Sequence, residues 1–287
     1  MSPEKSDESN PTIANTQQHG YPNVAQSFGL LGIMLLAAIA VSLTNYLLKF
    51  ALPANITSRL TYALLEGAIN YALTFYITVR IGQKEKARIE GIHFDWFKRG
   101  NIRSFDLLVL ALLTLFFCFA TEPVYQIIPS VDWLDKPIYE EFKKLIKPHI
   151  LSFISVSVLP AIFEEALMRG IILDGLLKRY KPWKAIIISS LLFGLMHLNP
   201  LQFVAGLMAG LFLGWVYWKT KSLLACMIIH ATNNAVGFFL ALRFGFDATT
   251  VQLVGKIPYV TIAVVSTLLF ISGIVWLSAR WTNKKLD

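Results

Sequence analysis

Seven apolar runs, at about 28–50, 59–80, 105–128, 150–173, 201–218, 222–243 and 258–280, alternate along the chain with short polar segments. Each is close to the roughly 20 residues that a helix needs to cross a bilayer. An eighth run, at about 183–198, is shorter and stops at Asn199-Pro200. At about 1.5 Å per residue it falls short of a full crossing, so it is expected to end at membrane depth. The pattern predicts an all-α polytopic membrane protein of about eight helices, in one membrane domain over 28–287. The segment 129–149, with Pro129, Asp132, Pro137 and Lys143, is expected to hold a short interfacial helix. Residues 1–27 are polar and rich in Ser, Asn, Gln and Pro, without the basic start and short apolar core of a signal peptide. They read as a disordered tail.

Composition agrees with lipid as the solvent: 55% of the 287 residues are hydrophobic, 15% are charged, and mean hydropathy is +0.56. The net charge of +8 does not point to nucleic acid, because the basic residues lie between apolar runs. There they anchor helices against anionic lipid. Lys and Arg gather in 80–103, 178–184, 219–221 and 280–285, which fall on one side of an eight-helix bundle. That bias places both termini in the cytoplasm. Short loops and a plain tail suit a prokaryotic inner membrane. Cys118 and Cys226 both lie in apolar segments, so no disulfide framework is implied. Trp183, Trp215, Trp218 and Trp281 suit aromatic belts at the membrane surface.

Against this background the polar residues inside the runs stand out. A charge at the centre of a spanning helix costs about 2.5–3.5 kcal/mol on insertion scales, so each needs a partner or a task. In AIFEEALMRG, Glu165 and Arg169 are four apart on one helix face and can pair. Glu164 lies about 100° round the helix and cannot easily use the same partner. In FGLMH, Phe193 and His197 are one turn apart; in HATNN, so are His230 and Asn234. Two histidines, an unpaired glutamate and an asparagine on three separate helices are expected to converge on a shared wet cavity. Between them, Gly206, Gly210 and Gly214 form a stripe that allows close helix packing. Glu66 and Glu122 read as interhelix hydrogen-bonding groups, and Asp174 as part of the membrane interface.

EEALM with Arg169, then Phe193-GLM-His197, then His230-ATN-Asn234, in that order on separate membrane helices, resemble the CAAX protease and bacteriocin-processing (CPBP) family of intramembrane proteases. The matching region runs from about 150 to 243. The resemblance implies a glutamate-dependent endopeptidase built on eight helices. In it Glu164 would be the general base, working with His197 to activate water. His230 and Asn234 would stabilise the oxyanion, and Glu165, Arg169 and Phe193 would support the first two motifs. The implied partner is a peptide or protein substrate at the membrane, with or without a prenyl group. No metal or cofactor is implied.

The residues alone leave other schemes open. Peptide hydrolysis needs a base for water, an acid for the leaving amine and donors for the oxyanion, and this set can supply all three. Cys226, His230 and Asn234 also share one helix face, which superficially suggests a cysteine protease. Glu164, His197 and His230 could instead hold zinc with an open position, although no HExxH pattern occurs. A non-enzymatic transporter or immunity scaffold would use the buried Glu and His for protons, ions or a partner.

Overall fold

The computed structural model describes residues 20–57, 59–129, 131–245 and 249–283. All regular structure among them is helical. In chain order the helices are α1 (Val24–Ala51), α2 (Ala54–Thr57), α3 (Leu60–Glu90), α4 (Ser104–Tyr125), α5 (Asp132–Leu145), α6 (Ile150–Leu177), α7 (Pro182–Leu195), α8 (Pro200–Thr220), α9 (Leu223–Phe244), α10 (Thr250–Val254) and α11 (Lys256–Asn283). Six of these (α1, α4, α6, α8, α9 and α11) are long and apolar enough to cross a membrane. The other two expected helices correspond to α3, which carries Glu66 and Asn70 in its first half, and to the short α7. Apolar side chains such as Leu36 and Phe50 of α1 and Leu268 and Val275 of α11 face outward. Lipid is the medium that suits such surface.

Helix α1 begins four residues before the expected boundary at 28. Asn23 and Gln26 close a reciprocal cap, at 2.8 and 2.9 Å, which fixes the helix start. Of the expected tail 1–27, residues 1–19 lie outside the described residues, whereas 20–27 are held in place. Tyr21 is buried, its N–H donates to Glu90 at 2.7 Å, and the Gly20 carbonyl accepts from Arg179. Helix α3 also runs past its expected end at 80. Its last turns turn polar residues inward, where Lys86 meets Asp174 at 2.7 Å. Glu90 and Lys178 complete this cluster at 2.6 Å. Burial works against the charge on Lys178, but the hydrogen bond to Glu90 and the charge of Asp174 outweigh it and raise its pKa above the usual lysine value.

The short helix behaves as its sequence predicts. Helix α7 has 14 residues, about 21 Å against about 30 Å of hydrocarbon. Leu198 then takes a left-handed conformation, and the Asn199 side chain caps α8 by accepting from Gln202 N–H at 2.8 Å. Non-helical backbone at membrane depth is tolerated where it lines a cavity, and Met196 and His197 do line one. The glycine stripe of α8 packs against α7. At Gly210 an added Cβ would lie 2.8 Å from both Cα and Cβ of Ser190, so backbone itself would have to move. Gly210→Ala is therefore expected to lower stability by about 1–3 kcal/mol in a detergent unfolding assay.

Two tryptophans depart from the expected belts. Trp215 and Trp281 are buried and pack on each other at 5.2 Å, with the Trp281 indole N–H donating to Asp106 at 3.3 Å. A partner for the indole N–H and a ring to pack against make burial favourable here. Trp183 stays exposed, as a belt residue should. The expected helix in 129–149 is present as α5, amphipathic and followed by Ile146–His149 before α6.

Candidate active site

Helix α6 carries the first motif, and its geometry is uneven. Residues Ile154–Val158 and Ala166–Leu173 are π-helical, each a widened stretch inside the helix. Such widened turns shift side chains relative to a regular α-helix and often occur where function needs it. Nothing in the residue pattern announces them. Glu165 immediately precedes the second stretch and Arg169 lies inside it, and both are fully buried.

The expected pair forms, with Arg169 Nη1 donating to Glu165 Oε1 at 2.8 Å. A second partner arrives from α9: His230 Nδ1 lies 2.7 Å from the same oxygen. A carboxylate oxygen can only accept, so the imidazole proton sits on Nδ1 in this contact. Arg169 also lies over the Phe193 ring, 4.6 Å from its centroid, and Nη2 reaches the Gly210 carbonyl at 3.5 Å. The edge contacts of Phe193 with His197 (5.2 Å) and His230 (5.8 Å) make its ring the wall between the two histidines.

Glu164 points elsewhere but not away from His230. Its Oε2 is 3.8 Å from His230 Nε2, so the two glutamates flank opposite nitrogens of one imidazole. As expected, Glu164 does not use Arg169, the partner of Glu165, and the residue the two glutamates do share is His230, for a simple reason. An imidazole offers a nitrogen on each of two edges, and can therefore serve two side chains about 100° apart on one helix. Glu164 Oε1 accepts a hydrogen bond from the Tyr71 hydroxyl of α3. Its Oε2 is buried and has no hydrogen-bond partner.

His197, at the end of α7, is 2.8 Å from the Phe193 carbonyl through Nδ1. The carbonyl can only accept, which leaves Nε2 as the lone-pair nitrogen. His197, Glu164 and Tyr71 line one cleft of about 440 Å³, walled by α1 and α3 through residues that include Met34, Leu35 and Phe75. Asn70 also lines it, with a buried and unpartnered Oδ1. Asn234 is placed differently. Its amide donates to the Val156 carbonyl of the first π-helical stretch at 3.3 Å, and Asn233 donates to its carbonyl oxygen at 3.4 Å. The structure thus gathers Glu164, Glu165, Arg169, Phe193, His197 and His230, while Asn234 lies one turn along α9 with one amide hydrogen engaged.

Cys226 sits one turn before His230, fully buried, with Sγ 3.5 Å from the Leu213 carbonyl. Both nitrogens of His230 face glutamates, so neither is turned to the thiol. Among the described residues, no group of three or more His, Cys, Asp and Glu is placed to hold a metal ion. Glu66, expected as an interhelix group, pairs with Lys49 of α1 at 2.9 Å; Glu122 accepts from Gln126 on its own helix at 3.2 Å. Tyr71 lies outside all three sequence motifs. The signal available is Asn70, Tyr71 and Thr74, three polar groups on one face within the apolar run 59–80.

Residues 146–236 match the family model of type II CAAX prenyl endopeptidase Rce1-like proteins. This segment is thus similar to the CAAX protease domain of Rce1-like proteins. It takes in α6, α7, α8 and more than half of α9, and with them all the expected site residues. No curated protein and no solved structure matches the chain. At the level of the family, the match supports an intramembrane endopeptidase acting on a membrane-associated peptide, and the apolar helices support an integral membrane protein.

Proposed function

We propose that the protein is a glutamic intramembrane endopeptidase whose nucleophile is a water held by Glu164. The observation that carries this reading is Glu164 Oε2, a buried carboxylate oxygen with no hydrogen-bond partner beside a cleft. Buried oxygens without partners are rare and costly, so a ligand or water is expected to satisfy this one. Oε2 and His230 Nε2 are 3.8 Å apart, and one water can lie within hydrogen-bond reach of both.

In this scheme Glu164 takes a proton from the water as it attacks the peptide carbonyl. Glu164 then passes that proton to the departing amine, directly or by way of His197 Nε2. With His230 Nδ1–H committed to Glu165, Nε2 is the nitrogen that faces the reaction; protonated, it donates to the oxyanion. The second amide hydrogen of Asn234 is the other donor. Glu165 and Arg169 hold the imidazole in place, and Phe193 separates it from His197. The catalytic motifs occupy 150–243 of a single membrane domain. The Lys and Arg distribution supports cytoplasmic termini in a prokaryotic inner membrane. The apolar wall of the cleft suits a peptide carrying an apolar chain, prenyl or side chain.

The test is cleavage of a diverse peptide pool, prenylated members included, by detergent-purified full-length protein with and without a strong chelator. Cleavage that survives the chelator but not Glu164→Gln is the expected result. Loss on chelation would transfer the site to a metal. Cys226→Ala is expected to cleave within about twofold of wild type, as a buried thiol that acts only as a small hydrophobe should. A large loss in that variant would reopen the cysteine-protease scheme.

A further inference from the structure

We infer that Tyr71 is a positioning residue of this site, whose hydroxyl occupies Oε1 of Glu164 and so reserves Oε2 for the water. The inference rests on the reading of Glu164 as the base. Among the described residues, the bond from Tyr71 is the one hydrogen bond that the Glu164 side chain makes. Glu165 is fixed by two donors, Arg169 and His230. Glu164 has only Tyr71. The terminal torsion of a glutamate is broad and close to two-fold, so an untethered carboxylate turns freely and exchanges its oxygens.

Tyr71 is itself well held for this task. Its ring stacks on Phe75, one turn along α3, at a centroid distance of 4.7 Å. Helix α3 is in turn locked to α6, the helix that carries Glu164. Gly82 meets Ile171 so closely that an added Cβ would lie 3.0 Å from it, and Lys86 pairs with Asp174 at 2.7 Å. The hydroxyl therefore reaches Glu164 from a rigid neighbouring helix. Without it the carboxylate can swing to bond His230 Nε2 directly, taking up the hydrogen-bonding sites that the water is placed to use. The remaining charged and titratable groups around Glu164 are His230 from α9, His197 from α7, and Glu165 and Arg169 on its own helix. None of them contacts Oε1.

Tyr71→Phe removes the hydroxyl and keeps the ring that lines the cleft. With the pool peptide that wild type cleaves fastest, kcat is expected to fall by about 10²-fold, the loss typical of a misplaced reacting group. KM should stay within about twofold and the unfolding temperature near wild type, because the ring contacts remain. A second readout needs no substrate. The infrared band of the Glu164 side chain, assigned by difference from Glu164→Gln, should move in Tyr71→Phe as the carboxylate loses its donor. An unmoved band overturns the proposal. So does an unchanged kcat, or a raised KM with kcat intact, which would make Tyr71 a substrate contact. The two levels fail separately. Cleavage surviving Glu164→Gln overturns the reading beneath the proposal, and the proposal with it. An inactive Glu164→Gln beside a Tyr71→Phe with wild-type kcat overturns the role of Tyr71 alone.

Discussion

Replacing Glu164 with Gln is expected to reduce kcat for peptide cleavage by at least about 10³-fold while leaving the fold intact. The replacement is nearly isosteric, and a Gln carbonyl can still accept from the Tyr71 hydroxyl. What changes is the other atom. An amide nitrogen in the place of Oε2 has no lone pair for a water proton, and it carries no charge to draw one. Stability should not suffer, since the substitution removes a buried carboxylate that neighbours a second one, Glu165. The measurement is initial rate alongside thermal unfolding of the same detergent preparation. An unfolded variant would say nothing of the water, so a preserved unfolding temperature is part of the expected result. Full activity in a folded Glu164→Gln protein would remove Glu164 from the chemistry.

The largest effect on stability is expected from Arg169→Leu, at about 3–5 kcal/mol, the usual cost of breaking one side of a buried ion pair. Arg169 and Glu165 are both essentially inaccessible, at 1% and 0% side-chain exposure. Leucine would leave the Glu165 carboxylate with His230 as its remaining partner and strip the guanidinium from the Phe193 face and the Gly210 carbonyl. Arg169→Lys should be intermediate, because an ammonium cannot lie flat on Phe193 while it bonds Glu165. The contrast within the molecule is Arg280–Asp106, at 2.9 Å against 2.8 Å but with Arg280 about one-third exposed. Its loss should cost less, because partial exposure lets solvent compensate. Denaturant unfolding of the three variants ranks them. Equal stability of Arg169→Leu and wild type would show that the pair contributes only orientation.

Much of the architecture was legible because the bilayer imposes it. Apolar runs of spanning length can only be buried in lipid or protein, so their number and approximate places follow from composition. Asn199-Pro200 stops α7 through local chemistry, a side-chain cap and a residue that cannot continue the preceding helix. The Glu165–Arg169 pair follows from helical spacing alone. The grouping of the three motifs was legible too, since isolated polar groups in lipid have to find one another. Local rules did less well at helix ends. The extension of α3 to Glu90 depends on Lys86 and Glu90 meeting Asp174 and Lys178 across nearly 90 residues of chain, whereas the start of α1 at Val24 is set by the local cap of Asn23 and Gln26.

By itself, then, the sequence determined a helical membrane protein, the helices that bear the polar motifs, and the one pair whose partners share a helix face. The tertiary structure alone decided that His230 sits between Glu164 and Glu165, that Tyr71 is the donor to Glu164, and that Trp215 and Trp281 are buried together. It also decided that Asn234 turns toward Val156. These contacts depend on how each helix is rotated about its axis and where it crosses its neighbour. Helical spacing fixes which residues share a face, but only packing against glycines such as Gly210 and the widened turns of α6 fix which faces meet.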